Sequence, residues 1–528
     1  MQTIHEVLVR GEERWGNKTA LIFDAINESF TFKEVKKKAE EIAVVFEIMG
    51  IKPGDKVSLM VPNIPSFPFS WLALGLIGAV MVPMNTRYQL FDAAYLMEHS
   101  ESKVIITTSE QVQMLSQVRK DKNLSFKIIT VDQSNDHADG FLEDMLRALT
   151  NEFHYKKNTF GETLLNIQYT SGTTGSPKGC MLSQKYWINI GEKIADPNLI
   201  GLTADDILLT SQPYYYMDPQ WNTIAALVNG ATLVVLDRFS PSFFWKKVQH
   251  YHVTFFYCLG NMPILLLKMP YSEDEKNHNV RFIGCSAIPP KLHQEIEERW
   301  NVKWYEVFGM TETGYDISMR VEEHEKYRGT NALGRPATDR EVRIMNQSGQ
   351  FVKRGEIGEM VFRGKGLMDG YYKNPDATNL IFKNGWFHTG DLARMDEDGV
   401  IFYEGRIKDM IRRSGENISA AEVEEVIMQN KEVKMAACVP VKDEIRGEEV
   451  KAYIVPVNVV ENEELYIRKL IDHCNGKLAE FKIPRYWEIR SVLPLTPSER
   501  VAKHELQKEI EESVSLSYDK TSENLNYR

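Results

Sequence analysis

Short apolar runs rich in β-branched residues alternate with amphipathic helical stretches, and this alternation limits the fold more than any other feature of the chain. KVSLMVP (Lys56 to Pro62), KVIITTS (Lys103 to Ser109), ATLVVLD (Ala231 to Asp237) and VTFFYCLG (Val253 to Gly260) have the length and composition of strands. Between them lie helical patterns such as TFKEVKKKAEEIAVVFEIMG, ending at Gly50 as a helix C-terminus would. Such alternation predicts βαβ units and mostly parallel sheets buried on both faces. A chain of 528 residues exceeds the size at which one core keeps growing, so two or more domains are expected. Near GVIFYEGRIKDMIRRSGENIS the pattern becomes α+β, with AAEVEEVIMQ as helix and KMAACVPV and EEVKAYIVPV as strands. The expected division is a large α/β domain over 1–405, a junction at 406–408 and a small α+β domain over 409–510. The last stretch, 511–528, lacks apolar periodicity and is expected to fray. No internal repeat is seen.

Charge and cysteine usage remove several classes of function. A net charge of -11 gives no general electrostatic footprint for nucleic acid. Five cysteines, widely spaced and without a CxxC pair, suggest neither a disulfide framework nor a zinc site and fit a reducing cytoplasm. The N-terminal stretch has no apolar run of signal-peptide length, and the run from Trp71 to Pro83 is too short to cross a bilayer. A soluble cytoplasmic protein without an integral membrane segment is expected.

The stretch YTSGTTGSPKGCMLS, Tyr169 to Ser183, follows the strand-like LLNIQYT. Glycines let backbone N–H groups approach an anion, hydroxyls add donors and Lys178 adds a point charge, which together describe a cradle for polyphosphate. The spacing is not that of a Walker A loop, since no Gly-Lys-Ser/Thr triplet follows. A flexible surface loop has the same composition, so the loop alone decides nothing.

Three further motifs follow it in order: YEVFGMTETG (Tyr305 to Gly314), WFHTGDL (Trp386 to Leu392) and EGRIKDMIRRSGENISAAEVE (Glu404 to Glu424). The set resembles the adenylate-forming superfamily of acyl-CoA ligases, adenylation domains and luciferases, over about residues 10 to 510. It is most similar to bacterial ligases of the crotonobetaine/carnitine-CoA type. The resemblance implies a large N-terminal domain of sheets and helices, a small mobile C-terminal domain and an active site in the cleft between them. It implies ATP, Mg²⁺ and CoA as cofactors and a small carboxylic acid as substrate; a homodimer is left open.

Residue by residue, the resemblance assigns Thr170, Ser171, Gly172, Thr173, Thr174, Gly175 and Lys178 to the β- and γ-phosphates. Thr311 would bond the α-phosphate and Glu312 would carry Mg²⁺. Gly284, Ser286, Ala287, Val307, Phe308, Gly309 and the adjoining Met310 would line the adenine slot, with Phe308 standing where tyrosine is common. Asp391 and Arg406 would hold the ribose. Lys408 would be the hinge about which the small domain turns between half-reactions. Gly415 and Glu416, in SGEN, belong to the loop that enters for the second half-reaction, and Ser419 is the expected N-cap of the helix that follows.

One departure concerns the C-terminal Pro-Thr-Gly-Lys pattern, whose lysine bridges acyl carboxylate and phosphate. Here LPLTPSERVAKHEL places Glu499 and Arg500 in the glycine and lysine positions. Either Arg500 does the lysine's work, helped by Lys503, or the protein is a non-catalytic nucleotide- or acyl-binding relative. For the acyl pocket the resemblance points to Tyr214 to Asn222, Cys258 to Met262, Cys285 and Gly309 to Asp316, with Tyr216 in the place of a gating histidine. Tyr214, Tyr215, Tyr216 and Trp221 beside Asp218 have the ingredients of an aromatic cage for a quaternary ammonium, with Asp316 a second counter-charge. An aromatic stretch packed in the core is the alternative. Arg446 and Lys482 are candidate CoA phosphate contacts. An adenylation enzyme loading a carrier protein is the other acceptor chemistry, and a luciferase-type oxidation has no mark in the sequence.

Overall fold

The capping chemistry written into TFKEV starts the helix Phe32–Ile48. Thr31 accepts from the Glu34 amide while the Glu34 carboxylate accepts from the Thr31 amide. The helix ends just before Gly50, whose φ of 86° is left-handed. The computed structural model describes residues 1–170, 177–259, 262–413, 416–443, 446–475, 477–496, 501–510 and 517–521, without the side chains of Lys408, Arg412, Glu416 and Asn417.

The described chain forms two compact units. The first holds Met1–Thr170, Pro177–Glu341 and Arg363–Gly385; the second holds Val342–Phe362 and the chain from Trp386 onward.

Two sheets build the first unit. One runs in the order Gly140–Phe141, Lys127–Thr130, Val104–Thr107, Lys56–Met60, Val80–Pro83, Leu164–Thr170 and Lys178–Ser183. All neighbours are parallel except the last pair, an antiparallel hairpin that sets Thr170 opposite Lys178. The other carries Gly314–Ser318, Trp304–Met310, Phe282–Ser286, Phe255–Leu259, Ile207–Thr210, Thr232–Val235 and Thr19–Phe23, parallel from Trp304–Met310 onward. The strands expected at 56–62, 103–109, 231–237 and 253–260 are all present. The apolar run from Trp71 lies within the buried helix Ser66–Ile77 and the strand Val80–Pro83. No described helix is long and apolar enough to cross a membrane.

In the second unit, Gly358–Gly364, Trp386–Met395 and Ile401–Arg406 form an antiparallel meander. Its C-terminal part is a six-stranded sheet around Gly447–Pro456, with the helices Ala420–Met428 and Glu463–Cys474 closing a separate core. Ser419 caps the first of these by accepting from the Glu422 amide. Tyr518–Asp519, within the stretch expected to fray, pair with Tyr486–Ile489. Tyr518 enters the core and Asp519 meets Arg485 at 3.1 Å, so these two described residues are held in place by one aromatic and one acid. All five cysteines are free and buried.

Candidate active site

The hairpin register brings Thr170 and Lys178 together at the end of the seven-stranded sheet. The segment after Met368 then runs antiparallel to the strand Lys178–Ser183: the Met181 amide donates to the Gly370 carbonyl and the Tyr372 amide to the Gly179 carbonyl. This places the Tyr371 ring 5.2 Å from the Lys178 ammonium, while its hydroxyl donates to Glu312 Oε1 at 2.9 Å. Cation, phenol and carboxylate form a chain across three segments distant in sequence. Burial pushes the Tyr371 phenol well above its ordinary range, and the Glu312 charge adds to this, so it remains a donor. Among the described residues Glu312 Oε2 has no protein partner. A carboxylate with one oxygen held and one available suits a hard divalent cation, so the donor set fits Mg²⁺.

The turn that carries Glu312 is braced on both sides. Tyr186 donates to the Thr311 carbonyl at 2.8 Å. Arg340 donates to the Thr313 carbonyl at 2.8 Å and meets Asp316 at 2.7 Å, and both side chains are fully buried. Asp316 is thus matched by an arginine and offers no net charge to a cationic substrate. Gly309, just before the turn, has no alternative, since a Cβ there would lie 2.0 Å from the Gly314 carbonyl oxygen.

Gly284 and Ser286 lie on Phe282–Ser286, beside Val307, Phe308 and Met310 on Trp304–Met310. Ser286 donates to the Val307 carbonyl at 2.6 Å. Ala287 sits at φ 65°, a strained value for a residue with a side chain. Its amide and that of Ile288 both donate to Glu306, at 2.7 and 3.0 Å. Desolvation raises the Glu306 carboxyl to about 7. Sequence reasoning missed both Glu306 and Tyr371.

Strand parity sorts the acyl candidates. Cys258 and Cys285 pair across adjacent strands and belong to the core with Phe256, Ile283 and Trp304. They were expected to line the pocket; alternation turns them to the packed side instead. The opposite side carries Tyr257, 5.6 Å from the Trp221 ring and hydrogen-bonded to the Ser286 hydroxyl. Tyr214 is also a core residue, stacked on Phe67 and bonded to Thr223. Tyr215 and Tyr216 pack edge to face at 4.7 Å. The four rings of YYYMDPQW are therefore divided among three neighbourhoods. Asp218 is buried at the start of the helix Met217–Asn229, accepting from Thr210 at 2.6 Å and Asn222 at 3.1 Å. Burial raises its carboxyl to about 7, against the pull of those two bonds, so near neutrality it is only partly ionised.

In the second unit Asp391 and Arg406 face each other in register and form an ion pair at 2.9 Å. Lys503 meets Glu424 at 2.7 Å; burial opposes its charge, but Glu424 and Asp409 outweigh it and raise its pKa. Arg446 pairs with Glu449 at 2.9 Å and Lys482 with Glu422 at 2.7 Å. Ser171, Gly172, Thr173, Thr174, Gly175, Gly415 and Arg500 lie outside the described residues, as do the side chains of Lys408 and Glu416.

One other cluster has metal-ligand composition: His293, Glu297 and His324, within 4.8 Å of one another. Apart from His324 Nδ1, its polar atoms are bonded within the protein. Glu297 accepts from the Trp304 amide and from Arg328, while His293 is bonded to the Trp304 carbonyl and the Gly329 amide. It is a structural knot.

The chain as a whole is similar to known proteins. Crotonobetaine/carnitine–CoA ligase of Proteus mirabilis (strain HI4320) is 31% identical over 509 residues, covering 94% of this chain and 97% of the relative. Among solved structures, an anthranilate CoA ligase in complex with anthranoyl-AMP superimposes with a TM-score of 0.86 at 24% identity, covering 97% of this chain and 98% of that one. The o-succinylbenzoate CoA synthetase from Bacillus subtilis, in complex with its acyl-adenylate, gives 0.83 at 24% identity, covering 95% and 97%. Residues 8–372 match the family described as AMP-binding enzyme, and residues 422–500 match its C-terminal domain. The chain belongs to the AMP-binding enzyme family, in the adenylate-forming superfamily.

Proposed function

We propose that this chain, an ATP-dependent acyl-CoA ligase, takes a short carboxylic acid of the betaine class as its acyl substrate, and that carnitine, crotonobetaine and γ-butyrobetaine are the compounds to test first. The observation that carries the betaine reading is the 31% identity, over nearly the whole of both chains, to a crotonobetaine/carnitine–CoA ligase. A second reading, a short uncharged acid, is favoured by Asp218, whose carboxyl is buried and already bonded to Thr210 and Asn222.

The chemistry has two steps. A carboxylate oxygen attacks the α-phosphorus of ATP, the bond to the bridging oxygen breaks, and pyrophosphate leaves; the CoA thiolate then attacks the acyl carbon and expels AMP. Lys178 and the Thr170 hydroxyl would meet the terminal phosphates, and the Tyr371 hydroxyl orients the Glu312 carboxylate. Mg²⁺ at Glu312 would neutralise phosphate charge. Thr311 would hold the α-phosphate, Asp391 and Arg406 the ribose, and Arg500 the charge that builds between the acyl oxygen and the phosphate. Rotation about Lys408 would exchange the two half-reactions. Arg446 and Lys482 would meet CoA phosphates only by giving up Glu449 and Glu422. Relatives named as CoA ligases favour free CoA over a carrier-protein arm. A cytoplasmic homodimer completes the proposal, and sedimentation reads the oligomeric part of it.

The test is a panel of betaines, short aliphatic acids and aryl acids with Mg-ATP and CoA, read for AMP, pyrophosphate and thioester. Thioesters of the betaines at a kcat/KM at least tenfold above acids of equal length support the proposal. Equal or lower values for the betaines transfer it to the uncharged acids.

A further inference from the structure

The helix Leu90–Ser100 packs beside the hairpin that carries Lys178, and two of its side chains, four residues apart and so on one face, grip the two arms of that hairpin. Tyr95 donates its hydroxyl to the carbonyl of Pro177, the residue before Lys178, at 3.0 Å. His99 Nδ1 is hydrogen-bonded to the hydroxyl of Tyr169, the residue before Thr170, at 2.6 Å. The two gripping rings stack on each other, centroids 5.4 Å apart and 20° from coplanar. His99 also meets the edge of Tyr372 at 5.7 Å, next to the residue that orients Glu312. Lys373 fastens the end of the same helix by donating to the His99 carbonyl at 3.0 Å and pairing with Glu101 at 2.9 Å.

We infer that Tyr95 and His99 are positioning residues for the nucleotide polyphosphate: they touch no reacting atom, but they set Thr170, Lys178 and the Tyr371–Glu312 pair at fixed separation. The geometry is selective. Each contact falls on a residue directly preceding a phosphate candidate, so loosening it displaces donors for the β- and γ-phosphates while leaving the adenine strands Phe282–Ser286 and Trp304–Met310 untouched. Burial, with the Lys373 charge adding to it, lowers the His99 pKa and keeps the ring neutral beside the phenol. The inference deepens the adenylation reading and rests on it.

The experiment measures equilibrium binding of Mg-ATP and of AMP, with thermal denaturation, to the wild-type chain and to Tyr95→Phe, His99→Ala and His99→Asn. AMP lacks the two phosphates in question and so reports on the adenine and ribose sites alone. Expected are a three- to tenfold weaker Mg-ATP affinity for Tyr95→Phe and His99→Ala, AMP affinity within twofold of wild type, and recovery in His99→Asn, whose amide sits one bond from Cγ as Nδ1 does and so can meet the Tyr169 hydroxyl. Tyr95→Phe removes a single oxygen and keeps the packing, so it remains informative if His99→Ala unfolds. Unchanged Mg-ATP affinity in folded Tyr95→Phe overturns the inference, and so does an equal loss for both nucleotides. A wild-type chain that binds neither nucleotide overturns the adenylation reading itself.

Discussion

Candidate functional groups are held differently in the two units. In the first, Glu312 keeps an oxygen available while Tyr371 holds the other, and the surrounding turn is fastened through carbonyls by Tyr186 and Arg340. In the second, each described candidate cation already faces a carboxylate: Lys503 has Glu424, Arg446 has Glu449, Lys482 has Glu422 and Arg406 has Asp391. The first arrangement is preorganised for a ligand. In the second, a ligand meeting Lys503, Arg446 or Lys482 would have to compete with an internal carboxylate, so binding there would be weaker than bare charge suggests.

The largest effect should come from breaking the most buried of these pairs. Lys503→Met leaves the Glu424 carboxyl enclosed without its cation, and is expected to cost about 3–5 kcal/mol in denaturant unfolding, with Glu424→Gln on top restoring most of it. An unaltered midpoint would show that Lys503 is available to substrate. Glu312→Gln tests the opposite arrangement: shape and the Tyr371 bond persist, so stability should hold while adenylation falls by about 10²–10³-fold in pyrophosphate exchange. Tyr371→Phe takes away only the orienting hydroxyl, and about tenfold more Mg²⁺ should be needed for half-maximal rate.

A carboxyl of the first unit gives the pH test. Asp218 binds its proton more tightly when folded, at about 7, than an ordinary aspartate does at about 4. Between those values the folded chain holds more protons than the unfolded one, so this group's contribution declines as pH rises from about 4 to about 7. Asp218→Asn removes that decline, and its melting temperature relative to wild type should climb from pH 5 to pH 8. A constant difference would mean that Asp218 is ionised throughout. The smallest effect is expected for Lys482→Ala, whose ammonium is shared with Glu422: about a twofold rise in the KM for CoA, in steady-state thioester formation.

Local signals were legible in the sequence wherever the physics was local. Strand composition located Lys56–Met60, Val104–Thr107, Thr232–Val235 and Phe255–Leu259, and capping chemistry gave the boundaries at Gly50 and Ser419. Pairing across the chain was not legible. Nothing near Glu312 announces that Tyr371, 59 residues on, will donate to it. Cys258 and Tyr257 are neighbours in sequence, and only the face to which the strand turns each of them separates core from site. Tyr214 was read with Tyr216 because they are close in sequence, yet the first is packed on Phe67 and the second pairs with Tyr215. Ion pairs such as Lys503 with Glu424 depend on which elements the fold brings together, and a composition of balanced charges does not specify them.

The burial of all five thiols has a practical outcome. Enclosure raises the pKa of every one of them, so little nucleophilic thiolate exists in the native state. Maleimide dyes should therefore leave the native chain almost unlabelled, and a cysteine engineered onto each unit would accept a fluorophore pair without first mutating the natural ones. Energy transfer between such dyes would then test, one molecule at a time, the expectation that the small domain turns during turnover.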